Sequence, residues 1–383
     1  MRRRPGAASD RKNGFPHFML KEIYEQPEAL RRLLGQSMAQ GGRGQLELPG
    51  FGLSAAQIRR IRRITIAASG SSRHAGMAGE FMIERMAGLD VEVDFASQYC
   101  YRDPIVGPGE LAILISQSGT TVDTMAALRL ARARGALTLG ICNVAGTPLT
   151  READATLLTC AGEEVAIAAT KSFITQLAAL LLFSGYLAGR RSTINAQTGN
   201  AIAELMRLPC YVEAALEKAA QCRRLAAAFQ RYEGFIYAGR DIDYPIAMEG
   251  ALKLKEVSYL HAEGYPTGEL KHGPTALLNR QLPIVILATH RSGDAESQLR
   301  YRKTVANIRE YVARRIPVLA VITAGDRLIP RLTRHVVAVP DVPVLLQPIV
   351  EVVPLQLLAY YVAVLRGRDV DRPRNLSKSV VVE

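Results

Sequence analysis

Three groups of residues in this chain have types and spacings that could do chemistry. The first is Ser116-Gln117-Ser118-Gly119-Thr120-Thr121, where the apolar run Leu111 to Ile115 stops in hydroxyls around one glycine. A helical pattern follows, with Thr124, Met125, Leu128 and Leu130 spaced for one buried face, so the hydroxyls stand where a strand hands over to a helix. Backbone N–H groups at a helix start lack intrahelical partners and the dipole there is positive, so a phosphate can collect several donors at once. Ser116, Ser118 and Thr121 would add hydroxyls, and Gly119 allows close backbone approach. A second hydroxyl-rich turn, Ser69-Gly70-Ser71-Ser72, also follows an apolar run. Helix capping remains the alternative for either turn alone, but it needs only one hydroxyl and does not require the pair.

The second group is Glu249, Lys253 and Glu256, spaced i, i+4 and i+7 and therefore on one helical face. Surface salt bridging would account for it equally well. The following stretch, His261-Ala-Glu263-Gly-Tyr265 and Gly268-Glu-Leu-Lys271-His272-Gly273-Pro274, places ionisable groups and glycines in a loop-like setting where catalytic groups are often held. The third is Lys378, close to the C-terminus. A lysine so placed is ordinarily a solvated charge. A tail folding over a bound sugar phosphate would instead present an amine to a carbonyl.

These groups must be positioned by something, and the chain repeats itself. Ile64 to Ser69 is echoed by Phe235 to Gly239, Leu111 to Ile115 by Pro283 to Leu287, Leu137 to Cys142 by Pro317 to Ile322, and Ala153 to Leu158 by Arg334 to Val339. Short apolar strands alternate with helical stretches such as Met125 to Arg134 and Gln298 to Arg314, the pattern of a parallel sheet covered on both faces. The expected fold is therefore α/β, two tandem doubly wound halves. Ligands in such sheets gather beyond the strand carboxyl ends, where the strand order reverses. The second copy of the hydroxyl turn reads Thr289-His290-Arg291-Ser292-Gly293, so phosphate binding is assigned to the first half.

A length of 383 residues, 48% of them hydrophobic, suits two or three domains. The net charge of +12 comes from scattered arginines without an adjoining aromatic platform, which speaks against nucleic acid and suits phosphorylated small molecules. Arg2-Arg3-Arg4 lies in a leader expected to be disordered. The five cysteines form no Cys-x-x-Cys pair, as expected for reduced thiols in the cytoplasm. The apolar helix Ile174 to Leu187 is too short for a membrane span, so no membrane association is expected. The six histidines lack metal-ligand spacing, so no metal is expected.

Together, Ser116-Gln-Ser-Gly119, the run Glu249 to Pro274 and Asn375-Leu-Ser-Lys-Ser379 resemble the isomerase domains of the glutamine:fructose-6-phosphate amidotransferases, the glucosamine-6-phosphate synthases of the sugar isomerase (SIS) family. The likeness starts near Phe18 and runs to the last residue. It implies a basic leader over 1–17, a first SIS subdomain with an N-terminal helical segment over 18–191, a second over 192–367 and an active-site tail over 368–383. It also implies a homodimer with shared active sites, a hexose 6-phosphate substrate and no cofactor. The resemblance assigns Ser72, Ser116, Gln117, Ser118 and Thr121 to phosphate binding and Ile167 and Ser377 to backbone contacts with sugar hydroxyls. It makes Glu256 the base between C1 and C2, His272 the ring-opening group from the neighbouring subunit, Lys378 the Schiff-base lysine and Lys253 a polar group beside the glutamate. Arg2 follows Met1 where the family's glutaminase begins with cysteine, so a glutaminase-less enzyme is expected, using free ammonia or a separate glutaminase subunit. Thr120, Ala169 and Ser69 replace a usual glutamate, serine and cysteine, and Glu163 to Ser172 also resembles glucosamine-6-phosphate deaminases, which would run the reaction backward. A sugar-phosphate-binding regulator without turnover is the alternative from another class, opposed by the presence of Glu256, His272 and Lys378.

Overall fold

The apolar runs of the repeat become parallel strands in the computed structural model of the protein, which describes residues 12–37, 39–40 and 46–379. Helices α1 (Phe18–Tyr24) and α2 (Gln26–Ser37) lead to a short hairpin, β1 (Ala39–Gln40) with β2 (Leu46–Glu47), and to α3 (Ala55–Arg60). The first half then runs β3 (Arg63–Ala68), α4 (Gly70–Ala87), β4 (Asp90–Phe95), α5 (Ala96–Tyr99), β5 (Glu110–Ser116), α6 (Val122–Ala133), β6 (Leu137–Cys142), α7 (Pro148–Glu152), β7 (Ala155–Leu158) and α8 (Lys171–Arg191). Its sheet is parallel throughout, in the order β4-β3-β5-β6-β7.

The second half begins with α9 (Ala196–Glu204), α10 (Leu208–Leu216) and α11 (Ala219–Phe229), and continues β8 (Gly234–Gly239), α12 (Tyr244–Ser258), β9 (His261–Pro266), β10 (Ile284–Ala288), α13 (Ala295–Ala313), β11 (Val318–Thr323), β12 (Val336–Val339) and α14 (Gln347–Leu365). Its parallel order, β12-β11-β10-β8-β9, is the first sheet's order again. In each half the first strand pairs with the second on one side and the third on the other, so the order reverses there. In the first half that switch point lies between β3 and β5, which are the strands whose carboxyl ends carry the two hydroxyl-rich turns.

Helices α8 and α14 fill the core between the halves. From Lys171 to Ala188 every residue of α8 is buried, and α14 is nearly as covered. Such helices read as apolar all round because no face meets water. The expectation that the apolar helix is too short for a membrane is corrected: α8 has 21 residues, and it and Val344–Leu365 are each long and apolar enough by length and composition alone. Their apolar windows are nevertheless 100% and 83% buried within the protein. Thr175 does not interrupt α8, because its hydroxyl donates back to the carbonyls of Lys171 at 3.0 Å and Ser172 at 3.1 Å.

Two further expectations change. His261 to Tyr265, read as loop, is the edge strand β9, paired with β8 from Gly234↔His261 to Gly239↔Pro266. A half-exposed edge strand needs no apolar run, which is why His, Glu and Gly hid it. The leader call over 1–17 lies outside the described residues up to Arg11, but 12–17 are tied down: Lys12 pairs with Asp371 at 3.5 Å, and His17 Nδ1 lies 2.8 Å from the Tyr360 hydroxyl. The Arg2-Arg3-Arg4 cluster is outside the described residues.

Candidate active site

The turn between β5 and α6 is built by its own side chains. Ser116, 3% exposed, accepts the Gly119 N–H at 3.1 Å and shares a 2.9 Å hydrogen bond with the Thr121 hydroxyl. Ser118 Oγ accepts from the Thr120 N–H at 3.3 Å and from its hydroxyl at 3.0 Å, which leaves the Ser118 proton to donate outward. Neighbouring loops brace the turn, the Gln117 and Gly119 carbonyls accepting from the N–H groups of Asn143 and Leu149, each at 3.2 Å. Gly119 sits at φ +68°, and a Cβ there would lie 2.2 Å from Thr147 Oγ1 and 2.7 Å from Cys142 Sγ.

The turn between β3 and α4 connects to the second half directly. His74, early on α4, places Nδ1 2.8 Å from Glu249 Oε2 on α12, and Ser71, a turn earlier, favours the charged Glu249 carboxylate. Glu249 and Lys253 are both 0% exposed. Lys253 Nζ lies 3.4 Å from Glu249 Oε1 and hydrogen-bonds Glu256 Oε2. The surface salt-bridge alternative is thereby overturned. Burial opposes the charge on Glu249, yet Lys253, His74 and Ser71 outweigh it and hold the carboxyl below its usual range. Burial would likewise lower Lys253, but Glu249 and Glu256 leave it raised.

The tail closes the arrangement. Lys378 Nζ donates to Glu164 Oε2 at 2.6 Å and to the Ala166 carbonyl at 2.7 Å. Glu164 follows β7 and sits at the start of α8, accepting from the N–H groups of Thr170 at 2.9 Å and Ser172 at 3.1 Å and from the Ser172 hydroxyl at 2.7 Å. Burial would raise its carboxyl, but Lys378, Ser172 and the Thr170 N–H together bring it below the usual value. The charge of Glu164 also raises Lys253, so the Lys378 pair and the α12 cluster belong to one electrostatic unit. An amine, a carboxylate held beside a lysine, and two donor-rich turns thus share the carboxyl edge of the first sheet.

A SIS domain model matches residues 57–184 and 233–366, one copy on each half. The chain belongs to the SIS family. It is 47% identical over 373 residues to the glutamine–fructose-6-phosphate aminotransferase (isomerizing) of Thermus thermophilus, which covers 97% of this chain and 60% of that protein. The chain thus spans about 60% of the length of the curated relatives it matches. It is also similar to the solved C-terminal domain of glucosamine-fructose-6-phosphate aminotransferase from Francisella tularensis, with 37% identity, a TM-score of 0.87, and coverage of 94% of this chain and 99% of that one. Within the SIS family it therefore belongs with these aminotransferase domains. The solved glucosamine-6-phosphate deaminase of Thermotoga maritima shares the fold alone, at 22% identity and a TM-score of 0.69, covering 95% of this chain and all of that one, 100%.

Of the residues expected in the SIS site, Lys253 pairs with Glu256 on α12, Lys378 pairs with Glu164, whose charge is felt by Lys253, and Ser72, Ser116, Gln117, Ser118 and Thr121 lie on the two switch-point turns. His272 stands apart, exposed in the turn Glu269–His272, with no hydrogen bond or ion pair among the described residues. Ser377 is exposed, its hydroxyl donating to the Ser379 carbonyl at 3.3 Å. The Ile167 N–H donates to the Asp371 carbonyl at 3.1 Å, so a sugar contact there falls to the Ile167 carbonyl. Sequence reasoning missed His74 as a partner of Glu249 and Glu164 as a partner of Lys378. The one signal for Glu164 was the acidic start of the Glu163 to Ser172 stretch.

Gly119→Ala is expected to weaken sugar-phosphate binding about tenfold or more while the protein stays folded. The left-handed φ alone costs about 1–2 kcal/mol, and the clash with Thr147 must open the turn. Isothermal titration with fructose 6-phosphate checks this; unchanged affinity would remove the turn from the phosphate site.

Proposed function

We propose that this chain is the isomerase unit of amino-sugar synthesis, interconverting fructose 6-phosphate and glucosamine 6-phosphate in the cytoplasm. The nitrogen arrives as ammonia. The observation that carries this reading is the approach of Lys378 to Glu164 within one charge cluster with Lys253 and Glu256. A sugar phosphate seated on the turns of Ser72 and Ser116–Thr121 would extend its reacting carbons toward that cluster, and phosphate binding would anchor them.

The chemistry follows from the residue types. The Lys378 amine condenses with the C2 carbonyl of the open-chain ketose, forming an imine and releasing water. Ammonia displaces the lysine at C2. Glu256 takes a proton from C1 and returns one to C2, leaving an aldehyde at C1 and an amine at C2. Lys253 donates a hydrogen bond to Glu256 Oε2 and so orients the carboxylate that accepts that proton. Incubation with glucosamine 6-phosphate, following ammonia and fructose 6-phosphate together, and the reverse mixture of fructose 6-phosphate with ammonium, test the reading. Absence of amino-sugar turnover both ways, with hexose phosphate isomerisation intact, would overturn it.

The exposure of His272, whose side chain has no partner among the described residues, supports a homodimer in which this residue completes the neighbouring subunit's site. A randomly reassorted mixture of His272→Ala and Glu256→Gln subunits is then expected to regain roughly a quarter of wild-type activity, since about half of the dimers are heterodimers and one of the two sites in each is intact. Verified heterodimers as inactive as the parents would exclude the shared site.

A further inference from the structure

We propose that Glu22, on α1, is a positioning residue that sets the Lys378 amine for attack; the proposal rests on the Schiff-base reading above. Glu22 is 2% exposed and lies 143 residues in sequence from the segment it contacts. Its Oε1 accepts from two consecutive peptide N–H groups, Val165 at 2.5 Å and Ala166 at 3.3 Å. The same short segment grips the amine from its other side, through the Ala166 carbonyl at 2.7 Å and the Glu164 carboxylate at 2.6 Å. One carboxyl oxygen therefore fixes the peptide units whose carbonyl and flanking side chain orient Nζ.

Packing performs only part of this task, since Ala166 is buried in the core but Val165 is not. Behind the segment is a cavity of about 430 Å³, lined by Lys21, Glu22, Glu25, Arg32, Gly162 and Val165 among others. Val165 borders that open space, so on that side the segment is held by the hydrogen bonds that Glu22 accepts from the Val165 and Ala166 N–H groups. The support for Glu22 is in turn well fixed. The N–H groups of Phe18 and Met19 at the start of α1 donate to the Asp371 carboxylate at 3.0 and 2.9 Å, and the Asp371 carbonyl accepts the Ile167 N–H at 3.1 Å. Both ends of the gripping segment thus hang from α1, one through Glu22 and one through Asp371.

The charge state suits the role. Burial, then the nearby Glu164, push the Glu22 carboxyl up to about 8, against smaller opposing effects of the Val165 N–H, Lys378 and Lys171. At neutral pH it is largely a neutral acid, so its carbonyl oxygen accepts both N–H groups without adding a second anion beside Lys378. A second anion there would clamp the ammonium and hinder the free amine that attack requires.

The test uses borohydride trapping of fructose 6-phosphate on the full chain, with steady-state kinetics in parallel. Wild type is expected to trap sugar on Lys378. Glu22→Gln keeps the accepting carbonyl oxygen and is expected to remain within about twofold of wild type in trapping rate and kcat. Glu22→Ala is expected to lose about tenfold or more in both, with KM for the sugar phosphate changed by less than about threefold. Glu22→Asp, too short to reach both N–H groups, is expected to show the same kcat-selective loss and decides the matter if the alanine variant does not fold. Wild-type trapping rates in the aspartate or alanine variant, a loss confined to KM, or a glutamine variant as impaired as alanine would overturn the inference alone. Failure of wild type to trap on Lys378 would overturn the Schiff-base reading and this inference with it.

Discussion

Lys378→Ala is expected to bind fructose 6-phosphate within a few-fold of wild type and to lose amino-sugar turnover by on the order of 10³-fold or more, about 4 kcal/mol of transition-state stabilisation. The separation follows from geometry. The proposed phosphate donors lie on the turns after β3 and β5, whereas the amine comes from the tail and bonds to Glu164 and Ala166. The variant also strips Glu164, whose side chain is 0% exposed, of its cation, so that carboxyl should move upward toward a protonated state. Titration of the protein with the sugar phosphate, alongside the coupled ammonia assay, checks both halves. Borohydride fixing sugar to another lysine would contradict the assignment.

Lys253→Met is expected to have the largest effect on stability, about 3–5 kcal/mol, because it leaves Glu249 charged in the core with only His74 and Ser71. Adding Glu249→Gln should recover much of that loss without recovering activity, since Glu256 still lacks its lysine. The pH dependence has a definite sign. The folded pKa of Glu249 in wild type is depressed, so its contribution is present above the usual carboxylate value near 4.5 and is lost as pH falls through the folded value. Without Lys253 that pKa rises, the folded variant takes up a proton, and the stability gap to wild type narrows as pH falls. Denaturant melts at pH about 8 and about 5.5 should show the larger gap at the higher pH. Equal gaps would show that Glu249 does not carry the penalty.

The hydroxyl turns were legible because their signal is local: an apolar run, a glycine and a helix start lie within a few residues of one another. The repeat was legible for the central strands, which are buried on both faces and therefore read as apolar runs. It failed for the edge strand β9, where alternating charge resembles a loop. Glu249, Lys253 and Glu256 were visible as a helical face, but nothing local says which way that face points. Only α4, folding His74 and Ser71 against it, turns a surface pattern into a buried one. Glu22 and Glu164 meet partners 143 and 214 residues away, and no window along the chain contains both ends of such a bond. Lys378 alone looks like any terminal lysine; resemblance singled it out, and its contact with Glu164 supplies the physical reason.

The way the C-terminus docks has a consequence for turnover. Its last firm attachment before the reactive lysine is Arg374, whose N–H donates to the Tyr259 hydroxyl at 2.9 Å and whose guanidinium lies 4.4 Å from that ring's centre. Tyr259 ends α12 at φ +63°, so the attachment rides on the helix that carries Glu249, Lys253 and Glu256. From Arg374 to Lys378 the chain advances 4 residues, a radius of at most roughly 14 Å when fully stretched. On the proposed chemistry, release of product would need only this leash to slacken, while the knot at Tyr259 would keep the amine in the neighbourhood of Glu164 and ready for the next sugar.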